Sequence, residues 1–183
     1  MNEKKLLTTK WYFIGLVSLI TWSILIWQYL HEGVPSHHLL NRADLPAISN
    51  WWGSVLLPVL SWIMLGRIQK RILQKPPTQT SLCLKHSYIG FLLAFIYGVM
   101  LSLTFFSGYA HISSIMFPGI LLFAIFFKVY REEFVLGFIL SMSFGFGAVL
   151  PTIFATIIAL ASAIVYFSVQ FVWSKVRVIA FKN

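Results

Sequence analysis

Six apolar runs, each close to the length of a membrane crossing, constrain this chain more than any motif does. A helix needs about 20 apolar residues to cross the hydrocarbon core, within a range of roughly 17 to 25. The runs cover residues 11–30, 51–68, 87–106, 112–127, 134–150 and 152–173. The fourth is the shortest and is interrupted by Pro118-Gly119. In water these runs would have to be faces of a packed core. A chain with 58% hydrophobic and only 10% charged residues has too little polar surface to cover them. The expectation is an all-α polytopic membrane protein: one transmembrane domain over residues 1–183, built as a compact bundle of six transmembrane helices in contact with the lipid bilayer.

Charge placement gives the orientation independently of hydropathy, because cytoplasmic loops collect Lys and Arg. Lys4, Lys5 and Lys10 precede the first run, and Arg67, Lys70, Arg71, Lys75 and Lys85 lie between the second and third. Lys128 and Arg131 lie between the fourth and fifth, and Lys175, Arg177 and Lys182 follow the sixth. With six crossings, 13 of the 14 basic residues fall on one side, leaving Arg42 against Glu32 and Asp44 on the other. Both termini are therefore expected in the cytoplasm, and the membrane is expected to be a bacterial inner membrane. The net charge of +9 then needs no nucleic acid as partner, since the basic residues are spread over four short segments rather than grouped with stacking aromatics. The first run is expected to stay as an anchor, because Trp27, Gln28, Tyr29 and His31 follow it instead of a small-residue cleavage site.

The longest polar interruption outside the basic segments is 31–50, HEGVPSHHLLNRADLPAISN, and topology puts it on the outer side. Ser36 is placed to cap a short interfacial helix from His37 to about Ala43, ending before Pro46. On that helix His37, Asn41 and Asp44 share a face. Ser49 or Asn50 can cap the next run, with Trp51 and Trp52 at headgroup depth. The 67–86 connection, with Pro76-Pro77, reads as a solvated basic linker. It holds the lone cysteine, Cys83, a bystander thiol on this reading. Small residues in the fifth and sixth runs (Gly145, Gly147, Ala148, Ala155, Ala159, Ser162 and Ala163) read as surfaces for close helix packing.

No HExxH, GxSxG, Walker A, CxxC or haem-attachment spacing is present. What carries chemistry is a constellation on the outer side. His31, His37 and His38 precede the second run, and His111 joins them from between the third and fourth, with Glu32 and Asp44 as carboxylates. Imidazole and carboxylate are ligands for first-row metals, zinc first among them. Adjacent residues on a helix point about 100° apart, so His37 and His38 bind one ion only if the backbone leaves the helix. The plain alternative is interfacial histidines hydrogen-bonded to headgroups or water.

Three functions follow as expectations. The first is a metal-dependent membrane hydrolase with ligands His31, His37, His38 and His111, in which Asp44 or Glu32 is the general base and the substrate is lipid-like. Its ingredients resemble those of ceramidase-type membrane hydrolases, which assemble His, Asp and Ser into a zinc site between helices. The resemblance covers residue types only, since those enzymes have seven spans and paired late-helix histidines absent here, so no residue role carries over. The second is a small-solute transporter or solute-binding membrane subunit, suited by Pro58, Pro118 and the glycines of the fifth run. The third is a non-catalytic partner of another membrane subunit.

Overall fold

The computed structural model describes residues 3–31, 33–38, 44 and 46–180. It is almost entirely helical: α1 Glu3–His31, α2 Gly53–Leu73, α3 Pro77–Phe106, α4 Ala110–Phe126, α5 Glu132–Phe146 and α6 Val149–Ala180. Two short strands, β1 Ser36–His38 and β2 Ala47–Ser49, lie between α1 and α2. Four helical segments are long and apolar enough to cross a membrane: Lys4–His31, Asn50–Leu73, Pro77–Phe106 and Val149–Lys175. The other two apolar runs also form helices, but of 17 and 15 residues. At 1.5 Å per residue these reach about 25 Å and 22 Å, short of a hydrocarbon core of about 30 Å.

The shortness of α5 goes with its position. It packs against α3, α6 and α2, and it buries Glu133, Leu136, Gly137, Phe138, Ile139, Ser141 and Met142. Longer neighbours therefore enclose it, and the outward faces of α1, α3 and α6 carry the exposed large apolar side chains, among them Leu19, Leu93, Leu103, Ile157 and Ile164. Residues shared by the ends fix the directions. Gln69 Nε2 donates to the Leu6 carbonyl, while Trp22 and Tyr29 meet Trp51 edge-on at 6.2 and 6.3 Å, so α1 and α2 run antiparallel.

α3 and α5 are parallel and very close. Gly90, Ala94 and Gly98 on α3 and Gly137, Ser141 and Gly145 on α5 are each spaced by four, which puts each set on one helical stripe. A Cβ on Gly137 would overlap the Phe91 carbonyl oxygen, and one on Gly98 would overlap Ser141 Oγ. Only residues this small let two backbones approach so far without a hydrophobic drive from water. The stripe on α3 went unremarked in the sequence, where small residues were singled out in the fifth and sixth runs alone.

Two local expectations need correction. The short helix from His37 to Ala43 is not formed at its start: Ser36, His37 and His38 are extended and pair antiparallel with Ser49, Ile48 and Ala47. Pro35 and Pro46 bias their preceding residues to extended backbone, and the strand pair satisfies the amides crosswise; Asn50 N–H adds a bond to the Pro35 carbonyl at 3.0 Å. Residues 39–43 lie outside the described residues. The basic linker is likewise mostly helix. α2 continues to Leu73, and α3 starts at Pro77, where proline's missing N–H is no loss, so only 74–76 connect them.

Gly137→Ala is expected to destabilise by about 1–3 kcal/mol through overpacking. Gly15→Ala on α1, where the added Cβ has open space, should leave stability nearly unchanged. Thermal unfolding of the two variants in detergent checks the close approach; equal melting would contradict it.

Candidate functional site

The polar segment 31–50 begins where α1 ends. Gly33 takes a left-handed φ of 84° and its N–H reaches the Gln28 carbonyl at 2.9 Å, closing the last turn of the helix. Glycine adopts that conformation at no steric cost. The chain then enters β1, and β2 leads into a single 3-10 turn, Asn50–Trp52, where Ser49 Oγ accepts from Trp51 N–H; α2 itself has Trp52 at its N-cap, with no side-chain cap from Ser49 or Asn50. Trp51 is thereby held against Trp22 and Tyr29, which anchors this segment over the α1–α2 pair.

Each expected site residue has a definite place or falls outside the described residues. His31 is the last residue of α1, exposed and stacked on Trp27 with ring centroids 4.6 Å apart. Its Nδ1 is 2.9 Å from the Trp27 carbonyl, which can only accept, so Nδ1 carries the proton and Nε2 is the nitrogen left for a metal. His38 is exposed on β1, Asp44 is exposed in a turn, and His111 is exposed on the first turn of α4. His37 sits at the middle of β1, paired with Ile48 of β2. The side chain of His37 and the whole of Glu32 lie outside the described residues. Among the described residues, no three His, Cys, Asp or Glu side chains come together as a group able to hold a metal ion.

Beneath this segment lies a groove of about 280 Å³ between α1, α2, α3 and α5. Its walls include Phe13, Val17 and Phe91 at depth and Gln28, Asn50 and Gly147 at the outer end. Phe13 and Gln28 are fifteen residues apart on one helix, about 22 Å at 1.5 Å per residue, so the groove follows most of the bundle's height. It is apolar apart from a few groups, and one of these is conspicuous: Gln28 Oε1 is buried and has no hydrogen-bond partner among the described residues. A buried acceptor without a donor costs roughly 1–3 kcal/mol, which a bound molecule bearing a hydroxyl or N–H would recover.

At the opposite end is an ionic cluster that sequence reading did not foresee. Glu133 is 1% exposed. Its two carboxylate oxygens meet Arg71 Nη2 at 2.7 Å and Arg131 Nε at 3.1 Å. Arg71 Nη1 also holds Glu132 at 2.8 Å, and its Nη2 donates to Ser87 Oγ at 3.1 Å. From the sequence, Arg71 and Arg131 read as orientation signals only. The overlooked signal was periodicity: Glu133 shares the i, i+3, i+4 and i+8 face of α5 with buried Leu136, Gly137 and Ser141.

Removing one partner of such a pair strands a buried charge, so Glu133→Leu and Arg71→Leu are each expected to cost about 3–5 kcal/mol. The double variant should be far less destabilised than the sum of the two. Thermal unfolding of all three in one detergent provides the cycle, and strict additivity would mean that the pair does not interact. Comparison with protein-family models, curated proteins and solved structures finds no match to this chain.

Proposed function

We propose that this chain is a bacterial inner-membrane protein with six membrane-embedded helices, both termini cytoplasmic, which takes up a lipid-like molecule in the groove between α1, α2, α3 and α5. The observation that carries the reading is the groove itself. It is an elongated apolar cleft, about 280 Å³, with its polar groups gathered at one end. A molecule with an apolar tail and a hydrogen-bonding head matches that distribution: the tail lies along Val17 and Phe91, and the head donates to Gln28 Oε1 beside Asn50. Binding sites of this kind are largely preformed, apolar, and oriented by a small number of polar groups.

The topology is supported by the alternation of helix directions and by the basic residues, which gather at the end of the bundle where α2 meets α3 and α4 meets α5. The outer end then bears β1 and β2, with His31 at the end of α1 and His111 in the first turn of α4. Zinc-activated water is the hydrolytic chemistry that this donor set would supply, with His31, His37, His38 and His111 as ligands and Asp44 or Glu32 as base. Hydrolysis would require at least three of them around one ion, so binding of the amphiphile is the reading put forward here.

Two measurements test it. A reporter fused after Asn183 is expected in the cytoplasm, with a tag near Ala43 accessible from outside; ends on opposite sides would rule out an even number of crossings. A photoactivatable long-chain alcohol is expected to label groove residues of α1, α3 and α5 above the general lipid-facing background. Ser143→Trp, which fills the groove from α5, should reduce that labelling several-fold. Uniform labelling of every lipid-facing helix, unchanged by Ser143→Trp, would exclude the groove as a binding site.

A further inference from the structure

The basic end of the bundle holds a second, unrelated feature. A cleft of about 700 Å³ opens there between the end of α2, the start of α3 and the connection from α4 to α5. Arg71, Lys75, His86, Lys128, Tyr130 and Arg131 line it. The two arginines are committed to Glu132 and Glu133 by the contacts at 2.7 to 3.1 Å. Lys75 and Lys128 are not: both are exposed, and among the described residues neither pairs with a carboxylate. Lys128 is instead steadied by the Tyr166 ring, 5.4 Å from its ammonium, and Tyr166 packs on Tyr130 at 5.7 Å. Two carboxylates against four permanent cations leave the cleft with a surplus of two positive charges, and a tyrosine hydroxyl adds a neutral donor.

The connection that lines this cleft also lines an apolar groove. Lys128, Tyr130 and Arg131 face the cleft, while Phe127 and Val129 join Leu93, Phe123 and Phe138 around an adjoining cavity of about 310 Å³ between α3, α4, α5 and α6. The chain is extended at Phe127 and then turns, with Arg131 N–H donating to the Lys128 carbonyl at 3.0 Å, which divides these side chains between the two sides. A surplus of cations beside an apolar groove, at the edge of a membrane-embedded bundle, is complementary to a molecule that is anionic at one end and apolar at the other.

We infer that this cleft binds the phosphate headgroup of an anionic phospholipid from the adjacent leaflet, with Lys75 and Lys128 as its charge-bearing contacts and an acyl chain in the groove of Phe127, Val129 and Phe138. Clustered lysines and arginines at a membrane edge recognise anionic headgroups through their charge. The ion-paired arginines shape the cleft and keep Glu132 and Glu133 from competing for the lysines. The site is separate from the outer groove and depends only on the bundle lying in a bilayer, so either can fail alone.

The test uses the full-length protein, delipidated and then equilibrated with equal amounts of phosphatidylglycerol and phosphatidylcholine, with retained lipid counted by native mass spectrometry. Wild type is expected to retain phosphatidylglycerol over phosphatidylcholine by on the order of tenfold. The double variant Lys75→Gln, Lys128→Gln should lose that preference, with its melting temperature in phosphatidylcholine unchanged. Equal retention of the two lipids by wild type overturns the inference, and this arm needs no variant. A preference that survives in the double variant overturns it as well. Displacement of phosphatidylglycerol by millimolar inorganic phosphate, with equally tight phosphate binding in the absence of lipid, would make this a site for a soluble phosphate and would refute the lipid assignment.

Discussion

Much of the bundle depends on satisfying one carboxylate. Glu133 is almost wholly enclosed, in a bundle with four helical segments long and apolar enough to cross a membrane. An unpaired charge in such a place is prohibitively costly, so the fold brings Arg71 from α2 and Arg131 from the chain just before α5 to its two oxygens. That requirement sets where α2 ends relative to α5. It also holds the start of α3 in place, because Arg71 bonds Ser87 as well. A hydrophobic contact can slide by a residue at little cost, whereas a three-way ionic contact cannot.

The small-residue seam between α3 and α5 complements this lock. Ionic contacts fix the register at one end, and the seam from Gly90 and Gly137 onward lets the two helices run side by side at minimal separation. At the far end Phe106 stacks on Phe146 with centroids 5.1 Å apart, closing the pair with aromatic surface. α5, held in this way, is only 15 residues long in a bundle whose longest helix has 32.

The two ends of the bundle are chemically unlike. One presents histidines, an aspartate and a strand pair above an elongated apolar groove, and the other presents ion-paired arginines and exposed lysines beside a second groove. Each groove pairs an apolar wall with polar groups of distinct character: neutral hydrogen-bonding groups at the outer end, cationic groups at the basic end. On the reading proposed here both ends engage amphiphiles, distinguished by headgroup chemistry.

Helix positions were legible from the chain alone, because an apolar run of membrane length has one low-energy backbone solution in lipid, and five of the six runs end within four residues of a helix terminus at both ends or extend into a longer helix. The sequence also marked the outer segment as polar and put Ser49 at a cap, since those are properties of single residues and their neighbours. It misjudged the stretch after Pro35, where strand pairing between residues nine to thirteen apart overrode the local helix signal. It also reads Arg71 as part of a solvated basic linker and Arg131 as an orientation signal alone. Which loop charges are buried depends on which helices stand beside them, and only the tertiary structure decides that. The same holds for both grooves and for any convergence of His31, His38, Asp44 and His111: composition supplies the donors, but distance between remote segments is a property of packing alone.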